Sequence, residues 1–192
     1  MTSIRTATPF SNEAQGRASR TLGGRSHDPP TPAGLSTGGI NVGQSLVEIY
    51  VHLIWSTKER IPFLNDNYLR NQLHAYLATA CRSRDSPAQI VGGVEDHVHL
   101  LCRLGKSTDI AALVRDLKRE TSKWIKNADP PCGDFQWQQG YGAFSISPSH
   151  LDKLTQYIAH QEQHHETLSF EDEFRRLCVK YRIEIDERYV WD

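Results

Sequence analysis

The sequence predicts an α+β domain of the ferredoxin-like class (split βαβ, RRM-like), with an antiparallel sheet and helices on one face of it. Between residues 46 and 147 the order of elements is strand, helix, strand, strand, helix, strand, and further helices follow. A very short connection between the second and third strands indicates a hairpin and hence an antiparallel sheet. Residues 44–192 have the length of a single domain. We expect the other face of the sheet to stay open.

The first strand is predicted over Leu46 to Thr57 (LVEIYVHLIWST), because this segment is rich in β-branched and aromatic residues. The first helix is predicted over Asn67 to Arg82, where apolar residues recur at i, i+4, i+7, i+8 and i+11. That spacing places them on one stripe of a helix. The turn-forming sequence at residues 85–87 (DSP) then ends the helix.

Two short strands follow, and we expect them to pair as a hairpin. Ala88 to Val94 forms the first strand, Glu95 and Asp96 the tight turn, and His97 to Leu104 the second strand. Alternate side chains of a strand point to opposite faces. His97 and His99 therefore present their imidazoles on the same face.

The second helix follows Ser107 and Thr108, either of which can cap its first turn. Its apolar stripe runs from Ile110 to Ile125. From Arg103 to Lys126 seven basic residues stand against three acidic ones, a net charge of +4. This basic face is either a phosphate-binding surface or the solvated side of an amphipathic helix.

The last strand and two more helices complete the domain. Ala143 to Ser147 is predicted to be a short strand, and a helix is predicted from its cap, Ser149, to about Glu166. Tyr157 and Gln161 are four residues apart on this helix and therefore share a face. A final helix is predicted over Phe170 to Lys180.

Residues 1–43 differ in composition from the rest of the chain. They are rich in Pro, Gly, Ser and Thr with almost no apolar periodicity, which predicts a disordered tail. Their net charge is +2, whereas residues 44–192 carry −3. They contain no apolar run of the length that a secretory signal needs. A translation start assigned too far upstream would explain the segment equally well.

The four cysteines, at positions 81, 102, 132 and 178, have no paired spacing. This excludes a zinc-finger framework and a dense disulfide scaffold. Free thiols favour a reducing compartment, and no run approaches the ~20 apolar residues of a membrane span. We therefore expect a cytoplasmic protein.

The most informative pattern is His97-Val98-His99, followed later by Tyr157 and Gln161 on one helix face. Two imidazoles and a carboxamide can hold one divalent ion, and a phenol beside that ion is a nucleophile for phosphorus. Each residue also has an ordinary explanation: a half-buried pair on a strand, a packed aromatic ring, and a good helix former. Their combination and order favour a metal-assisted, tyrosine-mediated enzyme that cleaves DNA strands.

With these motifs in this order, the chain resembles the single-tyrosine HUH transposases of small bacterial insertion sequences and their REP-associated relatives. The resemblance covers about residues 44–165. The matching segments are 50–58 (YVHLIWSTK), 96–101 (DHVHLL), 137–142 (WQQGYG) and 157–161 (YIAHQ). The tail at 1–43 has no counterpart in the family.

The resemblance implies metal ligands at His97, His99 and Gln161, and a nucleophile at Tyr157 that forms a 5′-phosphotyrosine with single-stranded DNA. It also implies substrates with imperfect hairpins, a homodimer with the catalytic helix acting in trans, and association with the nucleoid. The family uses Mg or Mn, although imidazole ligands alone would suit Zn or Cu better. The alternatives are a non-catalytic hairpin DNA- or RNA-binding protein of the same fold and a phosphoesterase that uses water.

Further residues could contact the DNA or the metal. Trp137 and Tyr141 could stack on bases, with burial at a dimer seam as an equal alternative. We expect His164 and His165 to lie at a solvated helix end and His52 to pack in the first strand. The basic residues that could hold phosphates are Arg115, Lys118, Arg119 and Lys123.

Overall fold

A computed structural model describes residues 44–165, 167–188 and 190–191 of the chain. The predicted disordered tail at 1–43 lies outside the described residues. The strands are β1 (Tyr50–Ser56), β2 (Ala88–Gly93), β3 (His97–Arg103) and β4 (Gly142–Ile146). The helices are α1 (Asn67–Arg82), α2 (Ile110–Ala128), α3 (Leu151–Ala159), α4 (Gln161–His165) and α5 (Phe170–Tyr181).

The four strands form one sheet in the order β2-β3-β1-β4, and every neighbouring pair is antiparallel. This is the ferredoxin-like order, so the predicted fold class is confirmed. The central strands β1 and β3 are almost entirely buried. In the register of the sheet, His99 lies opposite Ile54 on one side and Gly92 on the other.

One face of the sheet carries the main hydrophobic core. Leu53, Trp55, Val98 and Leu100 point to this face and pack with the apolar stripes of α1 and α2. The spacing of the apolar residues in the sequence places them on one stripe of each helix. Burial of that stripe against the sheet stabilises the helix far more than its intrinsic propensity does. The bounds predicted for the first helix agree with those of α1.

The expectation that the other face stays open was wrong. Ile54 and Phe144 form a second apolar cluster on that face with Phe170, Phe174 and Cys178 of α5. The side chains of α5 at i, i+4 and i+8 would otherwise expose a large apolar stripe to water. None of the helices in the described ranges has the length and hydrophobicity needed to cross a membrane.

Two details of the helix ends differ from the prediction. Asp109, rather than Ser107 or Thr108, caps α2 by accepting a hydrogen bond from Ala112 N. The predicted helix from Ser149 is interrupted at His160, where the backbone leaves helical geometry and separates α3 from α4. The predicted cap, Ser149, lies instead in a 3-10 turn (Pro148–His150) that precedes α3, and no side chain caps that turn or α3.

The turn between β2 and β3 depends on Gly93. Its φ of 140° is unfavourable for residues with a side chain, and an added Cβ would collide with the carbonyl oxygen of His97. Beyond the turn, Thr57 N donates to Asp96 O at 2.7 Å. These contacts fix the start of β3, where the histidine pair begins.

Candidate functional site

His97 and His99 lie side by side on the face of β3 that α3 and α5 cover, and both are fully buried. Each ring has a partner at Nδ1. His97 Nδ1 donates to Asp96 Oδ1 at 2.6 Å, and His99 Nδ1 lies 3.0 Å from His52 Nε2. Such partners orient a ring and select its tautomer. In the tautomers with the proton on Nδ1, both Nε2 atoms carry free lone pairs.

Gly92 brings the nucleophile candidate next to these histidines. A Cβ at this position would lie 2.6 Å from the carbonyl oxygen of Ile158. The glycine therefore lets α3 lie directly on the strand beside His99. As a result the ring of Tyr157 is 6.2 Å from the ring of His99, centroid to centroid.

Gln161 is the first residue of α4 and is only 2% exposed. The helix is tied to α1 through the buried Arg70, which hydrogen-bonds Glu162 and donates to Leu64 O at 2.8 Å. The amide nitrogen of Gln161 donates to Glu173 Oε1 at 3.3 Å. Its Oε1 atom is buried and has no hydrogen-bond partner among the described residues.

Glu173 of α5 lies at the centre of the site, 3% exposed. One carboxylate oxygen, Oε1, accepts hydrogen bonds from the Tyr157 hydroxyl and from Gln161. The other, Oε2, accepts a hydrogen bond of 3.0 Å from His165 Nε2 and lies 3.4 Å from His99 Nε2. It is also 3.9 Å from His97 Nε2. A single carboxylate therefore links the nucleophile candidate to the histidine cluster.

The charges in this cluster follow from its geometry. Burial alone would raise the pKa of the Glu173 carboxyl, but the imidazoles of His99 and His165 outweigh it and hold the pKa well below its usual range. Burial lowers the pKa of His99, and the charge of Glu173 opposes this shift. Burial and the charge of Glu173 raise the pKa of the Tyr157 phenol above its usual value. The carboxylate is therefore ionised, while the phenol is protonated.

The donor set suits a divalent ion. One ligating atom from each of His97, His99, His165 and Glu173 lies within 4.8 Å of all the others. The buried atoms without a hydrogen-bond partner in the described ranges include His97 Nε2, His99 Nε2 and Gln161 Oε1. Unsatisfied buried polar atoms are costly and rare, and the two imidazole nitrogens both lie within 3.9 Å of Glu173 Oε2. The residues present therefore fit a metal ion.

Sequence reasoning brought together four of these residues and missed three. The structure places His97, His99, Tyr157 and Gln161 close together within one chain, whereas the resemblance implied that the helix of Tyr157 acts in trans. His165 was expected at a solvated helix end but is part of the cluster, and His52 contacts His99 instead of only packing. Glu173 was missed, although an acidic residue one position before Phe174, on the apolar stripe of α5, was a usable signal.

The candidate DNA-binding residues of α2 lie on a different surface. Lys118 donates to the carbonyl oxygens of Gln138, Gln139 and Gly140 at 3.0, 3.2 and 2.6 Å. Burial lowers the pKa of its ammonium group to about 8. Lys118 therefore holds the aromatic loop in place, and its ammonium is already engaged.

Trp137 of that loop is 8% exposed and donates from Nε1 to Thr121 Oγ1 at 2.9 Å. Its ring packs between the rings of Trp55 and Phe135. Arg115, Arg119 and Lys123 are exposed on α2, but both arginines lie within ion-pair distance of Asp116. Phosphate binding by this helix stays a prediction, and base stacking on Trp137 would require its ring to leave the core.

Comparison with known proteins gives one family. The family model that is described as "Transposase IS200 like" matches residues 45–161 of this chain. Among solved structures, a protein of Deinococcus radiodurans R1 described as a transposase is 23% identical with a TM-score of 0.49, and the match covers 62% of this chain and 95% of that one. A REP-associated tyrosine transposase bound to a REP hairpin is 15% identical with a TM-score of 0.47, covering 66% and 74%. No curated protein matches the chain.

Proposed function

The chain belongs to the family of IS200-like transposases, and we propose that it cleaves and rejoins single-stranded DNA through a phosphotyrosine formed on Tyr157. One observation carries this proposal. Within a single chain, the Tyr157 hydroxyl, the Gln161 amide and two unpaired imidazole nitrogens surround the carboxylate of Glu173. A nucleophile and a set of metal ligands in contact are what metal-assisted attack on a phosphodiester requires.

The residues that would hold the ion are His97 and His99, with Glu173 as a further ligand and His165 within reach. Gln161 would add its unpaired Oε1. The ion is Mg or Mn. Sequence reasoning considered only two imidazoles and an amide, a set that favours Zn or Cu, whereas a carboxylate oxygen suits Mg and Mn. When bound, the ion supplies positive charge that polarises a non-bridging phosphate oxygen and orients the phosphorus.

The remaining chemistry belongs to the residues of the chain. Glu173 holds the Tyr157 hydroxyl through its hydrogen bond, and because the pKa of its carboxyl is low, it passes the phenolic proton on and does not keep it. As the phenolic oxygen bonds to phosphorus, the bond to the 3′ oxygen breaks, and the proton passes by way of Glu173 to that departing oxygen. Attack by the released 3′-hydroxyl on the phosphotyrosine reverses the step, so that rejoining needs no ATP.

The proposed substrates are single-stranded DNA ends with imperfect hairpins. A homodimer remains a prediction, but a second chain is not needed to complete the site, since α3 packs on the β2–β3 hairpin of its own chain. We therefore propose that the active site works in cis.

A covalent-adduct assay tests the proposal. Single-stranded DNA copied from both strands of the region flanking the gene is incubated with the protein and Mn²⁺, then separated on a denaturing gel. The wild type should give a protein–DNA adduct, and Tyr157→Phe should give none while still binding DNA. Tyr68→Phe, on the exposed surface of α1, is the matched control and should form the adduct normally.

Two outcomes would contradict the proposal. An adduct that persists in Tyr157→Phe would mean that another residue is the nucleophile. Cleavage without an adduct that is retained in Tyr157→Phe would identify a phosphoesterase that uses water.

A further inference from the structure

A cavity of about 680 Å³ opens beside the candidate nucleophile, between β4, α3 and α5. Tyr157 and Glu173 form part of its wall, so it is continuous with the site described above. Its size is in the range of pockets that bury a small organic ligand. Whatever occupies it lies next to the phenolic oxygen.

The charged groups of this cavity are almost all cationic. Lys153 of α3 and Arg176 and Lys180 of α5 line it, and all three are exposed. None of them forms an ion pair with an acid within the described part of the chain, whereas the neighbouring Arg175 is paired with Glu187. Among the described residues of the lining, Glu173 is the one carboxylate, and it is already engaged. The cavity therefore offers positive charge without an acidic partner, although Lys180 Nζ lies over the Tyr181 ring at 5.6 Å from its centroid.

The wall also contains apolar and aromatic side chains, beside polar ones such as Ser145 and His150. Leu154, Leu177 and Tyr181 are partly exposed there, beside the end of β4 at Ile146. A flat heterocycle can pack against such surfaces, and aromatic side chains stack on bases without regard to sequence. Positive charge for phosphates and an apolar wall for a base are the two components of a single-strand binding groove.

We propose that this cavity binds the nucleotide adjacent to the scissile phosphate, with its base against Leu177 and Tyr181. Arg176 and Lys180, four residues apart and on one face of α5, contact the phosphates of the same strand. This inference rests on the proposed function, because it takes Tyr157 as the group that attacks the strand. Helix α5 lies beyond the residues matched by the family model, which end at 161.

Equilibrium binding of a fluorescent oligothymidylate of about twelve nucleotides, measured by anisotropy in EDTA at several salt concentrations, tests the proposal. Each phosphate contact with a single strand contributes roughly −0.7 to the slope of log K against log salt. The double variant Arg176→Gln/Lys180→Gln should therefore bind more weakly, with a slope about 1.4 units shallower than the wild type. Both side chains are exposed, so folding should be unaffected.

The control variant Arg82→Gln/Lys106→Gln removes the same charge from exposed positions outside the cavity, and it should keep the wild-type slope. Equal slopes and affinities for the two double variants would refute the cavity proposal. Displacement of the strand by thymidine monophosphate at the same nucleotide concentration would also refute it, since it would indicate a site for free nucleotides.

The adduct assay separates this inference from the proposed function. If the wild type forms the tyrosine adduct but both double variants bind DNA alike, the cavity proposal fails and the chemistry stands. If no adduct forms but only the cavity variant loses binding, the chemistry fails and a strand-binding cavity remains.

Discussion

Replacement of Glu173 by Gln is the most direct test of the site, because it removes one charge and keeps the shape of the side chain. The carboxylate accepts hydrogen bonds from Tyr157, Gln161 and His165. Hydrogen bonds to a charged group contribute about 1.5–3 kcal/mol, and neutral ones about 1 kcal/mol. The cost of burying the charge offsets part of this difference. We expect a net destabilisation of about 2 kcal/mol in EDTA, or roughly 4–8 °C for a domain of this size.

The effect on stability should depend on pH with a defined sign. The pKa of Glu173 in the folded protein lies below its unfolded value. The contribution of the Glu173 carboxylate to the free energy of unfolding is therefore fully present above the pKa of an unfolded Glu, about 4.3, and is lost as the pH falls below that value. The difference in melting temperature between wild type and variant should narrow below about pH 4. Against the effect of burial, Glu173 raises the pKa of His165, so the difference should also shrink as the pH rises through the pKa of that imidazole in the folded protein.

The effect on metal binding should be larger. Substitution of residues that only orient a metal ligand typically lowers affinity 10- to 100-fold, so the loss of a direct ligand should reduce Mn²⁺ affinity by about that factor or more. Calorimetric titration with Mn²⁺ measures it. Glu171→Gln is the control, since Glu171 lies on the same helix but pairs with Arg60 outside the site. Unchanged Mn²⁺ affinity in Glu173→Gln would refute the assignment of this residue as a ligand.

Three further predictions concern the assembly of the site. A mixture of His99→Ala and Tyr157→Phe chains should form no adduct, because the proposed active site takes both groups from one chain, and an adduct would indicate a site shared between chains. Gly92→Ala should reduce adduct formation by displacing α3, while Gly140→Ala, which meets only the end of a flexible side chain, should not. Arg70→Met should lower the free energy of unfolding by about 2 kcal/mol in denaturant titration, because a buried backbone carbonyl loses its donor.

The elements that the sequence predicted well are those whose signal is local. The stripe of α1 and the alternation of β3 each follow from one periodicity, and their bounds agree with the prediction to within one residue. The break at His160 could not be predicted, because no glycine or proline marks it. It arises where the chain turns from packing on the sheet, through Ile158, to burying Gln161.

The acidic run at 171–173 shows why the site was only partly predictable. In the sequence these three residues form a cluster of negative charge, of the kind that usually lies in solvent. In the structure Glu171 and Asp172 contact Arg175 near the surface, whereas Glu173 is buried. The phase of the helix decides between these positions. The spacing of Phe170 and Phe174 indicates that phase in the sequence, but the structure was needed to show that this side of α5 packs on the sheet.

Charge alone was similarly ambiguous for the basic residues. The sequence predicts that Lys118 and Arg176 are both exposed on helices. In the structure Lys118 donates to three carbonyl groups of a loop, whereas Arg176 lines a cavity and has no acidic partner among the described residues. Only the surroundings of each head group separate a structural cation from one available to a phosphate. For this reason the cavity beside Tyr157 is a stronger candidate for strand binding than the basic face of α2.

The covered face of the sheet accounts for both the candidate metal site and the cavity. A strand can place two imidazoles side by side, but it cannot surround an ion, because its neighbours lie in the plane of the sheet. The groups above the plane of the sheet come from two helices. Helix α3 packs on Gly92, and α5 places Glu173 between Tyr157 and the histidines. The same helix then extends Arg176 and Lys180 over the cavity. If α5 failed to dock, the nucleophile would lose its hydrogen-bond acceptor and the strand would lose its proposed cations together.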